Sequence, residues 1–126
     1  MKIEIQKIDD TEGLETPEGV MKPLLFGERL LCMHLEIPAG LEVSPHAHPT
    51  EGIIYCLSGE LVVESGNETV TIGSGTAMLV PPDTVVGIKN QQNAAVNAIL
   101  VSSPPSVKSV EELKNLLRHH DEGDKS

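Results

Sequence analysis

Two histidines two residues apart, His46 and His48, are where chemistry can begin in this chain. They stand in Ser44-Pro45-His46-Ala47-His48-Pro49-Thr50-Glu51, ahead of the apolar run Ile53-Ile54-Tyr55-Cys56-Leu57 and Gly59. Alternate residues of a strand share a face. The two imidazoles are therefore expected to point the same way, and paired ring nitrogens are the start of a metal site. Two histidines alone hold an ion weakly and leave most of its coordination to water, whereas enzymic centres normally carry three protein ligands and an open position. The competing expectation is a polar lumen without metal.

The remaining residues read as the shell that carries this pair. A length of 126 residues suits one domain, 1–126, and 11 glycines with 9 prolines favour many short strands and turns over long helices. The net charge of -10 argues against nucleic acid and anionic membrane as partners, since both would repel the chain. Cys32 and Cys56, the two cysteines, fall inside expected strands and read as reduced, buried thiols. The first residues carry charges where a signal peptide needs an apolar core, and no apolar run approaches the length of a membrane span. A soluble, cytoplasmic protein is expected. Aromatic residues make up 2% of the chain, so little is offered for stacking a sugar or a base.

Along the chain, residues 2–8 alternate at Ile3 and Ile5 and are expected to form a first strand, followed by a loop over 9–19. Residues 21–26 read as a short extended piece. Over 30–37 the alternation is clean: Leu31, Met33, Leu35 and Ile37 are assigned to the core, and Cys32, His34 and Glu36 to a polar, exposed face. Residues 60–64 and 68–72 flank Ser65-Gly66-Asn67 as a hairpin, and 76–80, 84–88 and 94–101 supply the last strands. The pattern predicts an all-β, antiparallel sandwich or barrel. A helix over 109–119 opens on a capping box of Ser109 and Glu112. Its stripe, Val110, Leu113, Leu116 and Leu117, is expected to pack on the barrel or on a second subunit. His119, His120 and Asp121 are expected in a solvated tail.

Gly40, His46, His48, Glu51 and Gly59 resemble the first signature of the cupin superfamily, and Gly75, Pro81 and Asn90 its second. The likeness covers roughly residues 20–102. It implies a double-stranded β-helix, or jelly-roll barrel, with a lumen site and often a homodimer. It also implies a divalent ion (Zn, Fe, Mn or Ni) held by two histidines, an acidic or amide residue and a third histidine. The usual acidic ligand would stand at Gly52, one place after Glu51, and the usual third histidine at Val86. The second motif's neighbouring glycine is Asp83. A one-residue slip turns a side chain to the opposite face, so Glu51 reaches the lumen only if a bulge lies between His48 and Ile53. Gly52, Ile54 and Cys56 share the inward parity; Cys56 is a reserve ligand favouring zinc, or a small buried hydrophobe.

Three functions stay open. The first is a weakly held metal at His46, His48 and Glu51, with Glu51 also a general base and Ile54, Cys56 and Val86 lining the substrate pocket. The reaction would be dioxygenation, isomerisation, decarboxylation or lyase chemistry on a small polar metabolite. The second is a metal-free module that binds or senses a small ligand. The third is a structural homodimer docked through the helix.

Overall fold

The structure is a computed structural model that describes residues 2–124, with side chains described as far as Leu117. Ten strands and one helix follow in order: β1 (Leu14–Thr16), β2 (Gly19–Phe26), β3 (Leu31–Ile37), β4 (Glu42–His46), β5 (Glu51–Ser58), β6 (Glu60–Ser65), β7 (Glu68–Gly73), β8 (Ala77–Val80), β9 (Val86–Lys89), β10 (Val96–Ser103) and α1 (Val110–Asp124). They form a six-stranded sheet, β1-β2-β3-β10-β5-β8, facing a four-stranded sheet, β4-β9-β6-β7. Each pairing is antiparallel. This is the expected all-β jelly-roll barrel with a C-terminal helix.

The inner faces make two apolar clusters. Ile37, Ile54, Cys56, Leu61, Val96 and Ala98 pack at one end, with Val63 and Ile72. Met21, Leu31, Met33 and Leu35 pack at the other, where Val107 and Leu113 join them. The β3 assignment therefore holds: Leu31, Met33, Leu35 and Ile37 are all buried. Each buried side chain of this size stabilises the fold by about 1.5–3 kcal/mol. The capping box forms in shifted style. Glu112 N–H donates to Ser109 Oγ (3.1 Å), while the Glu112 carboxylate accepts from Lys108 N–H (3.3 Å). Leu113 settles the helix stripe onto the chain's own barrel. The backbone around His119, His120 and Asp121 is helical rather than a tail, and their side chains lie outside the described residues.

Two expectations are corrected. Residues 2–7 form no strand, and Ile3 and Ile5 are exposed. The edge of the larger sheet is taken instead by β1, inside the segment read as a loop, which pairs with β2 across Thr16↔Gly19. Alternation without a partner strand or an apolar surface to cover cannot hold a strand. His34, assigned to an exposed face, is only 6% exposed, and its Nδ1 has no hydrogen-bond partner. It sits mid-strand with Lys22 of β2 and Ile99 of β10 paired on either side, so neighbouring side chains bury it.

Burial holds the His34 imidazole below its ordinary value of 6.5, helped by the Lys22 ammonium and opposed by Glu36 and by Asn97. The unfolded chain then binds more protons at His34 than the folded one, so its contribution to stability is lost as pH falls through the ordinary histidine range. His34→Leu removes this group and the orphaned nitrogen. Its melting temperature should fall less than that of the wild type between pH 7 and pH 5, as read by thermal unfolding at fixed ionic strength. Equal losses in both proteins would show that His34 does not drive the acid response.

Candidate metal centre

His46 is aimed into the barrel by a fault in its strand. Val43 pairs with Ile88 and His46 pairs with Val86, so three steps along β4 match two along β9. The extra residue is a β-bulge at Ser44-Pro45, where proline's missing N–H costs no ladder bond. Without it, Val43 and His46 would face opposite sides; with it, both line the same cavity. Gly87 lies opposite, and a Cβ there would stand 3.0 Å from the Pro45 ring, so glycine makes room for the bulge.

His48 lies just past the end of β4, not on a strand. Its carbonyl accepts from Asp83 N–H at 2.8 Å, which ties it to the loop before β9. Asp83 has φ 59, so the aspartate adopts the left-handed conformation for which glycine is the usual choice. The two rings meet edge to face with centroids 4.6 Å apart and Nε2···Nε2 at 2.9 Å. The expected convergence of His46 and His48 is present, although strand alternation is not its cause.

The acid that joins them is Glu18, which sequence reasoning missed. Its Oε1 lies 2.6 Å from His46 Nε2 and 3.8 Å from His48 Nε2. Glu18 sits in the tight turn between β1 and β2, where its N–H donates to Thr16 Oγ1 (3.0 Å) and Thr16 Oγ1 donates to the Gly19 carbonyl (2.8 Å). Gly19 has φ 107, and a Cβ there would lie 2.5 Å from the Glu36 carbonyl. The turn thus seats directly on β3. Thr16-Pro17-Glu18-Gly19 is a turn signature that was legible; its meeting with a histidine pair far along the chain was not.

Glu51, expected as ligand and base, is exposed and stands outside this group. The bulge it needed is missing: Glu51, Gly52, Ile53 and Ile54 pair in unbroken register with β10, and the register shift comes only after Ala98↔Cys56. Gly52 and Ile54 therefore take the inward face, and Glu51 points out. Ile54 and Val86 line the cavity. Cys56 does not; it is fully buried in the closed end, with Sγ near the carbonyls of Ser58 and Gly59. Burial pushes its thiol pKa up, the Ser58 contact opposes this and Glu60 adds to it, which disfavours a thiolate ligand.

The donor geometry fits an ion. His46 Nδ1 lies 2.8 Å from the Ser44 carbonyl, which can only accept, so Nδ1 carries the hydrogen and the neutral ring's lone pair is at Nε2. That lone pair faces a carboxylate oxygen and another imidazole nitrogen. The Glu18 carboxylate oxygen and this lone pair, 2.6 Å apart, repel unless a cation, either a proton or a metal ion, lies between them, and His48 Nε2 is close enough to share it when its own hydrogen is on Nδ1. Donors about 2.1 Å from an ion stand about 3.0 Å apart around an octahedron and about 3.4 Å apart around a tetrahedron. The distances of 2.6, 2.9 and 3.8 Å bracket both. The group lies at the rim of the cavity: 38% of the His46 side chain, 61% of His48 and 34% of Glu18 remain exposed.

Behind this rim lies a cavity of about 500 Å³. Met33, Leu35, Ile54, Ile88 and Leu100 form its walls, and Leu113, Leu116 and Leu117 of α1 cover one side.

The model of the family described as "Cupin domain" matches residues 33–102, and the chain belongs to that family. No curated protein matches it in sequence. Among solved structures it is similar to KdgF from Halomonas sp. at 20% identity, covering 82% of this chain and 96% of that one with a TM-score of 0.76. An RmlC-like cupin from Shewanella frigidimarina NCIMB 400 is 22% identical over 83% of this chain and 94% of that one, with a TM-score of 0.74. The polyketide cyclase RemF from Streptomyces resistomycificus is 20% identical over 86% of each, with a TM-score of 0.73. At these identities the likeness shows the fold. Glu18 lies ahead of the matched stretch.

Gly19→Ala should lower stability by about 2–4 kcal/mol in urea unfolding, because it combines a left-handed φ with a clash against backbone. Gly52→Ala, whose Cβ would meet nothing nearer than 3.5 Å, should stay within about 1 kcal/mol of the wild type. Equal costs at the two positions would refute the seating of the β1–β2 turn on β3.

Proposed function

We propose that the chain is a metal-dependent cupin whose Glu18, His46 and His48 hold one divalent ion at the mouth of the lumen and act on a small molecule bound behind it. The convergence of His46 Nε2, His48 Nε2 and a Glu18 carboxylate oxygen carries this reading. Two histidines and one carboxylate leave one side of an ion open, the arrangement suited to Fe(II) and oxygen chemistry, so dioxygenation is the reaction class favoured over isomerisation, decarboxylation or lyase chemistry. A bound ion would supply Lewis acidity and a coordination site for a reactant. The chain supplies the rest. Ser44 fixes the His46 ring, Glu18 contributes charge, and the cavity walls exclude water. The role once expected of Glu51 passes to Glu18 in this reading. The free thiols of Cys32 and Cys56 support a cytoplasmic, reducing location. Among the described residues no helix is long and apolar enough to cross a membrane.

Metal-stripped protein titrated with Fe(II), Mn(II), Ni(II) or Zn(II) should take up one ion per chain. His46→Ala and Glu18→Ala should bind at least tenfold more weakly, a loss of about 1.4 kcal/mol or more, and Glu51→Ala should bind as the wild type does. Wild-type protein that binds none of these ions at millimolar concentration would leave the metal-free binding module as the function.

A second copy of the chain is the proposed partner. Ile53, Tyr55 and Leu57 of β5 and Leu79 of β8 are exposed on the outer face of the larger sheet, a row of apolar side chains that association would cover. Sedimentation should show a dimer for the wild type and a monomer for Ile53→Lys/Tyr55→Lys. A monomeric wild type would rule the dimer out.

A further inference from the structure

The lumen is more specific than a site for a small polar metabolite. Its volume of about 500 Å³ suits a molecule of about drug size. Its walls are aliphatic side chains from both sheets, closed on one side by Leu113, Leu116 and Leu117. Away from Glu18, His46 and His48, the polar side chains that line it are the hydroxyls of Thr50, Thr84, Ser102 and Ser106, and among the described residues no lysine or arginine does so. A carboxylate or phosphate lodged among those walls, away from the rim, would lose its water and meet no cation of the described residues.

We propose that the lumen takes an uncharged, largely apolar molecule of two or three fused rings or comparable size, with its one oxygen-bearing end at Glu18, His46 and His48. This rests on the metal-centre reading for the orientation of the ligand, and on the cavity alone for its class. Sugar acids, dicarboxylates and phosphorylated metabolites fall outside the class. A hydroxylated or keto-bearing polycyclic compound falls within it: its ring system displaces poorly held water from the aliphatic walls, and its oxygen is the group the charged rim can accept.

A matched pair of fluorescent probes tests the class. N-phenyl-1-naphthylamine is neutral; 8-anilino-1-naphthalenesulfonate is the same skeleton with a sulfonate. In the presence of EDTA the neutral probe should bind the full chain at least tenfold more tightly than the anionic one. Gly52→Leu, which extends a side chain from the inward face of β5, and Leu116→Asp, a change at a half-exposed helix position, should each weaken the neutral probe at least fivefold. Thermal unfolding checks that both variants fold. Equal or tighter binding of the sulfonate would overturn the proposal, as would wild-type affinity in both variants. The orientation is tested separately with 2,3-dihydroxynaphthalene, which should bind at least tenfold more tightly with Mn(II) than with EDTA. If the naphthylamine results hold and this dependence on metal is missing, the metal centre fails and the ligand class stands.

Discussion

Two sheets that curl over one core must be tied where the chain crosses between them, and Asn90 makes that tie. Its side chain is 1% exposed. Its Nδ2 shares two hydrogens among the carbonyls of Ile37 (2.9 Å), Pro38 (3.1 Å) and Ala94 (3.0 Å), while Oδ1 accepts from Gln92 N–H (2.9 Å). Its backbone exchanges bonds with Gly40 and Leu41. One buried amide thus joins the end of β3, the start of β4 and the approach to β10. Ile37 and Val96, which pair across β3 and β10 there, are among the most completely buried residues. A buried amide satisfied on both ends holds a unique geometry, whereas leaving those carbonyls unpaired would cost about 1–3 kcal/mol for each. With this end fixed, the opposite end is free to stay open, and the cavity and its charged rim are there.

The sequence revealed those features whose cause is local. Period-two alternation located β3, because its apolar face packs on the core, and the turn at Ser65-Gly66-Asn67 located β6 and β7. The motif glycines marked the turns, because few other residues fit a left-handed conformation; Asn90 was legible as part of a motif, and the tie it makes was not. The convergence of His46 and His48 was legible too, but for an incomplete reason. Strand alternation puts two such residues on one face without saying which face. The Ser44-Pro45 bulge decides that, and its accommodation depends on Gly87 in another strand. His34 was misassigned for a related reason. Its polar neighbours Cys32 and Glu36 mark an outer face, yet the side chains of the flanking strands close over it.

The largest gap between expectation and structure concerns the carboxylate. The family pattern puts an acid on β5, at the position Gly52 occupies, and a third histidine on β9, at Val86. Both positions do face the cavity here, and neither offers a donor. The acid arrives instead from the turn before β2, outside the matched stretch of the family. Glycine at 52 and valine at 86 widen the lumen and make it more apolar. Moving the acid to the rim keeps three donors together without placing a charge among the aliphatic walls. A carboxylate at Gly52 would have had to lose water inside the barrel; at the rim, Glu18 keeps about a third of its side chain in solvent.

That separation gives the site its direction. Charges at a partly exposed rim are screened and interact weakly over distance, so they hold little except what lies among them. The lumen behind them is lined mostly by aliphatic side chains and by no described cation, so what it attracts is apolar area. A molecule with one oxygen-bearing end and an apolar body therefore has one favourable way to enter: body first, with the oxygen left at Glu18, His46 and His48. Reversal would put the oxygen against Leu35 and Leu100 and the rings against a carboxylate. Helix α1 reinforces the preference, because Leu113 is anchored in the core while Leu116 and Leu117, a turn further on, face the cavity. Orientation in this barrel thus follows from where the one acid stands, and the short turn that places it is as much part of the site as the two histidines.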